Sequence, residues 1–339
     1  MANPVKFNKD NNLELLRIIF AFQVLIVHAA EHLTYEIPIN LNHLPGVPAF
    51  FFVSGFLIYA SYCNAQKRYY FQNRFLRIFP ALVAVTIGGS FLALFALGLS
   101  VLSQNGLVFL IWFLGQISLG QAYNPDIFRD IGVGVINGSL WTITTEILFY
   151  VMVPFIVWLE KRFSSAVILL SLFSFCIYSM GPALELGPVY RGRTLIDIIS
   201  LTPIYWGWMF GLGILAVKHF EAIYKYINYL PLCFIPFLLL IEFGQGLFFN
   251  SAGNKLGIIY YVCYVSILFW IAFGLPAIRI GIDISYGIYI WHMPVLNIFL
   301  VINYPNFAWV VVFTVLAALM SWFFIELPAL RLKQKSLKT

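Results

Sequence analysis

Residues 13–33 read LELLRIIFAFQVLIVHAAEHL, an apolar run of membrane-spanning length that contains Arg17 and His28. A spanning helix needs about 20 predominantly apolar residues. Glu14 and Arg17 interrupt the start of the run, and no small-residue cleavage site follows its core, so we expect a retained helix rather than a signal peptide. This stretch predicts an integral membrane protein with ionisable side chains inside its first helix.

The rest of the chain repeats this pattern. Of its 339 residues, 61% are hydrophobic and 10% are charged, against about 45–50% and about 25% in an ordinary soluble domain. Ten further apolar runs lie near 44–63, 78–99, 106–120, 139–160, 165–181, 196–217, 228–247, 256–277, 282–302 and 307–326. Because no internal repeat or long polar linker divides them, the sequence predicts one all-α membrane domain, residues 1–339.

The distribution of basic residues decides how many of the eleven runs cross the membrane. If 106–120 does not span, sixteen of the twenty Lys and Arg residues lie on the cytoplasmic side, as the positive-inside rule requires. The four outside are Arg129, Arg191, Arg193 and Lys255. We therefore expect about ten transmembrane helices with both termini cytoplasmic, and a short re-entrant or interfacial segment near 106–120.

Two features of the composition favour ordinary structural explanations. The four cysteines lie in or beside apolar runs, without CxxC spacing or a nearby histidine pair, so we interpret them as buried structural thiols. The net charge of +6 is explained by an excess of Lys and Arg on the cytoplasmic loops, where they face membrane lipids. The charge therefore predicts no nucleic-acid partner.

Arg17 and His28 are eleven residues apart, close to three helical turns, so they share one helix face at different depths. An ionisable group at such depth is costly and usually faces a cavity or a partner. A histidine satisfied by a helix–helix hydrogen bond, or wetted at the interface, is an equally good explanation of His28. Glu31 and His32, at i+3 and i+4, could orient it or simply mark the membrane edge.

A second basic region follows helix 2, where KRYYFQNRFLR (67–77) interleaves bases with aromatic residues. Its simplest explanation is a positive loop lying on anionic lipid. Arg74 and Arg77, however, stand at i,i+3, and arginine suits bidentate phosphate recognition better than lysine. The pair therefore predicts a clamp for a phosphorylated cytosolic ligand.

Glu146 lies inside the run SLWTITTEILFY (139–150), about 10 Å below the predicted external surface. A carboxylate at that depth needs a partner, which nearby threonines could supply in a structural network. Because Glu146 and His28 are both predicted in the outer half of the bilayer, we expect them to meet in one site, with Glu146 orienting His28.

Five further residues are candidates for substrate binding or for structure: Ser54, Trp141, Tyr286, Tyr289 and His292. The small residues Ser54-Gly55 and Gly287 favour close helix packing. His292, followed by Pro294, is harder to explain by packing alone. The sequence contains no HExxH, GxSxG or Walker A motif, so it predicts no metal site and no hydrolase or P-loop chemistry.

Taken in order, these motifs resemble the acyltransferase 3 family of membrane acyltransferases. The matching elements are Arg17-x10-His28, Phe50-Phe51-x-x-Ser54-Gly55, Arg74-x-x-Arg77, Ser139-Leu140-Trp141 with Glu146 and Phe149-Tyr150, Ser285-Tyr286 with Tyr289 and His292-x-Pro294, and Glu326-Leu327-Pro328. Each motif is weak alone, and together they cover residues 17 to 328.

The resemblance implies ten helices in a bacterial inner membrane and an acyl-CoA donor, usually acetyl-CoA. It also implies acyl transfer to a hydroxyl of a carbohydrate acceptor, free or lipid-linked, such as O-antigen or exopolysaccharide. By resemblance His28 is catalytic, and Arg74 and Arg77 handle the donor, with Arg17 as a further donor contact. His28 could act as a base or carry the acyl group itself.

Two other classes of function remain open at this point. A transporter or flippase could use intramembrane Arg, His and Glu as a proton or substrate path, although it predicts inverted repeats that the sequence does not show. A sensor could also keep the acyltransferase scaffold without its activity.

Overall fold

The protein is described by a computed structural model over residues 7–8, 10–64, 67–121, 123–181 and 195–333. Its α-helices are α1 (Leu13–His32), α2 (Gly46–Asn64), α3 (Lys67–Leu97), α4 (Ser100–Leu119), α5 (Trp141–Glu160), α6 (Ala166–Met180), α7 (Leu195–Ser200), α8 (Pro203–Lys218), α9 (Phe220–Tyr224), α10 (Phe234–Phe243), α11 (Gly246–Phe249), α12 (Ile258–Phe273), α13 (Ser285–Val301), α14 (Phe307–Ser321) and α15 (Leu327–Arg331). A π-helix, Trp322–Glu326, joins α14 to α15, and 3₁₀ turns occupy Leu41–His43, Asp126–Phe128, Gly138–Leu140 and Ile227–Cys233. No strand occurs within these ranges.

Seven helical segments are long and apolar enough to cross a membrane: Leu13–His32, Leu41–Asn64, Tyr69–Leu97, Ser100–Leu119, Gly138–Glu160, Ile198–Lys218 and Phe307–Arg331. Four shorter apolar helices accompany them: Ala166–Met180, Ile227–Phe243, Ile258–Phe273 and Ser285–Val301. Every predicted apolar run thus has a helical counterpart, and the all-α, multi-pass membrane architecture is confirmed. The count of ten spans and the location of the termini stay predictions.

The segment predicted as a 15-residue piece near 106–120 is longer than expected. It belongs to α4, a 20-residue helix that begins at Ser100 and bends at Asn105, whose φ of −132° and ψ of 24° are not helical. Its length is sufficient for a span, so only the distribution of charge still argues for a re-entrant or interfacial segment.

The helix predicted near 228–247 is interrupted. The chain forms a 3₁₀ turn at Ile227–Cys233, then the 10-residue α10 and the four-residue α11. Pro231 lies inside the 3₁₀ turn. Gly246, where α11 begins, has a φ of +75°, a conformation that glycine adopts without steric cost. Local backbone conformation therefore divides a stretch that, by composition alone, is one apolar run.

Close helix packing at the predicted small residues is confirmed. A Cβ atom on Gly55 of α2 would lie 2.0 Å from the carbonyl oxygen of Phe210 in α8. From the opposite direction, a Cβ on Gly213 would lie 2.1 Å from the carbonyl oxygen of Phe52. The two backbones are in contact because each glycine faces the other helix, which is the usual route to close packing without a hydrophobic driving force.

Gly55→Ala is therefore expected to destabilise the protein by about 1–3 kcal/mol, since the backbones must separate to admit a methyl group. The thermal unfolding midpoint of the purified protein in detergent measures this loss. Gly106→Ala is the matched control, because a Cβ on Gly106 meets nothing within 4 Å. Equal midpoints for the two variants would contradict the close approach of α2 and α8.

Candidate functional site

A cavity of about 110 Å³ lies between α1, α2, α3, α5 and α13, and we call it the arginine cavity. Seven of the ten predicted site residues line it: Arg17, Ser54, Arg74, Arg77, Glu146, Tyr286 and Tyr289. Val47, Phe50, Phe51, Val53, Leu57, Ile58, Thr142, Ile143, Tyr150 and Ser285 complete the lining. Residues from five helices thus converge on one space.

The arginine cavity contains an ion-pair cluster whose acidic member the sequence analysis missed. Asp283 Oδ2 accepts hydrogen bonds from Arg17 Nη1 at 2.7 Å and from Arg77 Nη2 at 2.5 Å. Ser285 Oγ donates to Asp283 Oδ1 at 2.5 Å. Asp283 is thereby fully bonded, and it joins α1, α3 and the start of α13. The sequence did contain a signal for this contact. Asp283 is a lone carboxylate at the start of an apolar helix, and Arg17 and Arg77 have a similar predicted depth.

Arg74 is held differently and keeps an unused donor. Its Nη2 donates to Ser61 Oγ at 2.8 Å, and its guanidinium lies 5.6 Å from the centroid of the Tyr150 ring. The Nε of Arg74 is buried without a hydrogen-bond partner. A buried donor without an acceptor is costly, so this nitrogen is available to an anionic ligand in the cavity.

Glu146 belongs to the arginine cavity, where its Oε1 accepts a hydrogen bond from Tyr150 at 2.6 Å. Three guanidinium groups and two carboxylates, those of Glu146 and Asp283, leave one net positive charge around the cavity. Such a charge favours an anion, and arginine forks match phosphate geometry in particular.

His28 and His292 form a hydrogen-bonded pair in which the protons can be assigned. His28 Nδ1 lies 2.9 Å from His292 Nε2, and His292 Nδ1 lies 2.7 Å from the carbonyl oxygen of Tyr289. A carbonyl only accepts, so His292 Nδ1 carries a proton. His292 is 1% exposed and touches no carboxylate among its described contacts, so the neutral ring, whose Nε2 accepts, is favoured.

The protonation of His292 in turn determines the tautomer of His28. If His292 Nε2 accepts, His28 Nδ1 donates, and the proton-free nitrogen of a neutral His28 is Nε2. His28 lines a second cavity of about 170 Å³, the histidine cavity. The pair therefore holds His28 in the tautomer whose proton-free nitrogen, Nε2, is not used in the pair's own hydrogen bond, as a general base or nucleophile requires.

The prediction that Glu146 orients His28 is wrong, because His292 occupies that role. His28 and Glu146 line different cavities, and no hydrogen bond joins them. Glu31 lines the histidine cavity, and the His32 ring lies 6.3 Å from that of His28, yet neither is hydrogen-bonded to it. Depth in the bilayer alone could not tell which of several polar groups faces His28.

The histidine cavity lies where α1 ends and the arginine cavity lies where α1 begins. Arg17 and His28 are about 16 Å apart along the helix axis at 1.5 Å per residue. Val47 of α2 lines both cavities. Phe50 and Tyr289 also line the arginine cavity, with ring centroids 5.6 Å apart. The linings of the two spaces therefore meet at Val47.

The start of α5 fixes the helix that carries His292. Pro294 lacks an N–H, so the carbonyl of Ile290 loses its helical partner, and Asn137 Nδ2 donates to this carbonyl at 2.8 Å. Ser139 Oγ in turn donates to Asn137 Oδ1 at 2.7 Å. The Ser139 motif and the proline motif are therefore two halves of one structural contact.

Tyr289 and Trp141 have distinct structural positions. The hydroxyls of Tyr289 and Thr142 are hydrogen-bonded at 2.8 Å, which ties α13 to α5 beside the arginine cavity. Trp141 does not line either cavity and packs against the ring of Trp206 at 5.2 Å. Of the predicted site residues, Trp141 is therefore a packing residue.

The site belongs to a membrane acyltransferase. The chain is a member of the acyltransferase 3 family, whose acyltransferase-domain model matches residues 10–326. It is 29% identical to nodulation protein 10 of Rhizobium leguminosarum bv. viciae, over 98% of this chain and 96% of that protein. It is 25% identical to an O-acetyl transferase of Shigella phage Sf6, over 94% of this chain and 96% of that protein. No solved structure matches.

Proposed function

We propose that this protein is an O-acetyltransferase that moves an acetyl group from cytoplasmic acetyl-CoA to a hydroxyl of a carbohydrate acceptor. The observation that carries the proposal is the arrangement along α1, with an arginine-lined cavity at one end and His28 at the other. The phage relative is an O-acetyl transferase, which supports acetyl as the transferred group and oxygen as the receiving atom.

The donor would bind through its phosphates in the arginine cavity. Arg74 has a buried Nε without a partner, and Arg17 and Arg77 stand beside it with one carboxylate shared between them. Charge-assisted bonds from arginine to phosphate are short and strong. The pantetheine arm would then run along α1, past Val47, and bring the thioester to His28.

His28 would act as the general base. Its Nε2 takes the proton of the acceptor hydroxyl as that oxygen attacks the thioester carbonyl carbon. The carbon–sulfur bond breaks, CoA leaves as the thiolate, and the proton returns from His28 to the sulfur. Attack by Nε2 itself, giving an acetyl-histidine intermediate, uses the same nitrogen. The two routes can be distinguished by incubating the enzyme with acetyl-CoA in the absence of acceptor, quenching it with acid and digesting it. A peptide with acetylated His28 is expected only if the acetyl-histidine intermediate forms.

The assay uses purified protein in nanodiscs with acetyl-CoA and candidate glycans. Wild-type protein is expected to release free CoA and to yield O-acetylated glycan detectable by mass spectrometry. Movement of acetyl-CoA or glycan across a sealed liposome without covalent change would favour a transporter. Binding of acetyl-CoA without transfer to any glycan would favour a sensor.

Two orientation statements belong to the same proposal. In this orientation the chain spans the membrane ten times, α4 does not span it, and both termini are cytoplasmic. The arginine cavity would then lie on the cytoplasmic side, from which CoA arrives, and the histidine cavity would lie toward the outer face. The family resemblance further implies a bacterial inner membrane and a surface polysaccharide acceptor, such as O-antigen or exopolysaccharide, free or lipid-linked. Labelling of single cysteines at 36 and 164 with an impermeant maleimide on intact spheroplasts tests it, and only the first should react.

Val47→Phe is expected to slow transfer at least about tenfold, because the larger ring would fill the place where the two cavity linings meet. Acetyl-CoA affinity should change less than about twofold, since the arginines that would hold the donor phosphates are unchanged. CoA release and donor binding are measured on the same preparation. Val83→Phe is the matched control, being exposed at the outside of α3. Unchanged transfer in Val47→Phe would show that the acyl group takes another route.

A further inference from the structure

We infer that Glu31, Asn42 and Asn254 form a subsite that binds the acceptor as a neutral, hydroxyl-rich saccharide. The inference rests on the proposed function, because it concerns the cavity into which His28 opens. All three side chains line the histidine cavity together with His28. No sequence motif indicated that any of the three contacts the acceptor.

The first argument is that these polar groups are free while their backbones are fixed. Gly253 N donates to the Asn42 carbonyl at 2.8 Å, and Tyr178 donates to the Asn254 carbonyl at 2.8 Å. His43 Nδ1 lies 3.1 Å from the Ser251 carbonyl. The loop after α1 and the loop before α12 are thereby joined into one wall, which holds two amide side chains toward the cavity.

Gln23 shows the contrast with a residue that serves structure. Its Oε1 accepts from Gly46 N at 2.8 Å and its Nε2 donates to the Leu41 carbonyl at 3.0 Å. Both ends of this amide are occupied in holding the same wall. The Asn42 and Asn254 amides and the Glu31 carboxylate have no such bonds among the described contacts, so they remain available to a ligand.

The second argument is chemical. An amide both donates and accepts, and a carboxylate accepts from two donors, which matches neighbouring hydroxyls that each donate and accept. Among the described residues that line the cavity there is no Lys, Arg, Phe, Tyr or Trp side chain. An acceptor carboxylate or phosphate would find the Glu31 charge and no compensating cation there. The cavity therefore selects for neutral sugars.

Access agrees with this assignment. Glu31 and Asn42 are exposed, Asn254 is half-buried, and His28 is half-buried beneath them. A saccharide could thus enter from the aqueous edge of the wall while one hydroxyl reaches His28. The three arginines line the arginine cavity and not the histidine cavity, so donor and acceptor would approach from opposite ends of α1.

The test measures saccharide binding separately from transfer. The probes are neutral oligosaccharides of glucose, galactose, rhamnose and N-acetylglucosamine, each paired with a uronic-acid-containing counterpart. Wild-type protein in nanodiscs should bind at least one neutral member and prefer it to its anionic counterpart. Asn42→Ala and Asn254→Ala should each raise the Kd of that member about five- to thirtyfold, with acetyl-CoA affinity unchanged within about twofold.

Glu31→Gln should reduce the preference for the neutral member at least about fivefold, because it removes the charge and keeps the shape. Glu36 is an exposed carboxylate on the loop after α1, outside the cavity lining. Glu36→Gln is therefore the matched control and should leave the preference unchanged. Binding of no neutral member, tighter binding of anionic members, or unaltered Kd values in both asparagine variants would each overturn the subsite. Saccharide binding with the expected pattern but no CoA release would instead contradict the proposed acetyl transfer and leave the subsite supported.

Discussion

His28→Ala should lower acetyl transfer by about two to four orders of magnitude, which is the contribution of a positioned general base. The residue supplies the nitrogen without a proton, Nε2, that the hydrogen bond to His292 leaves free. CoA release in nanodiscs, with a saturating acceptor, measures the loss. Acetyl-CoA affinity should be retained, since His28 lies about 16 Å from Arg17 along α1.

His292 should act as a positioning residue in the same experiment. His292→Phe removes the acceptor for the His28 Nδ1 proton, so the two His28 tautomers should become mixed. The ¹⁵N chemical shifts of labelled histidine report this directly, with Nδ1 protonated in the wild type. Transfer should fall, although less than in His28→Ala. An unaltered tautomer in His292→Phe, or full activity in His28→Ala, would contradict the assigned roles.

Asp283→Ala should destabilise the folded protein by about 3–5 kcal/mol, because it leaves Arg17 and Arg77 facing each other without their shared carboxylate. The side chains of Arg17 and Asp283 are only 19% and 10% exposed, so water replaces little of the lost attraction. The thermal unfolding midpoint in detergent measures the effect. Acetyl-CoA should raise that midpoint more in the variant than in the wild type, since its phosphates would supply the missing negative charge.

The exposed ion pair between Asp10 and Arg279 is a matched control for the buried one. Arg279 Nη2 lies 2.8 Å from Asp10 Oδ1, with the two side chains 80% and 63% exposed. Asp10→Ala should cost less than about 1 kcal/mol, as exposed pairs usually do. Combining Asp283→Ala with Arg17→Met should recover part of the lost stability. A similar, small cost for both aspartate variants would contradict the importance of burial for this cluster.

The fold explains why one short motif in the sequence carries several tasks. Helix α13 places Tyr286 and Tyr289 on the arginine cavity and His292 against His28. Helix α1 likewise connects Arg17 to His28. Because α1 lines both cavities, and α13 lines the arginine cavity and holds His28 through His292, these two helices link the donor and acceptor ends of the proposed reaction.

The sequence by itself determined the all-α membrane architecture and most residues of the site. Apolar runs of spanning length, helical periodicity and the spacing of Arg74 and Arg77 are local properties, so they can be read from neighbouring residues. The separate locations of Arg17 and His28 along α1 follow from the same periodicity. Local breaks, such as the one between α10 and α11 in the predicted run 228–247, were not apparent from composition.

Only the tertiary structure decided which side chains meet. The His28–His292 and Arg17–Asp283 contacts join residues 264 and 266 positions apart, and such contacts depend on how helices pack and rotate against each other. The depth predicted from the sequence put Glu146 beside His28, whereas the structure places Glu146 in the arginine cavity, toward the opposite end of α1 from His28. Partners inside the membrane are thus set by how the helices pack against each other, which no local pattern of residues specifies.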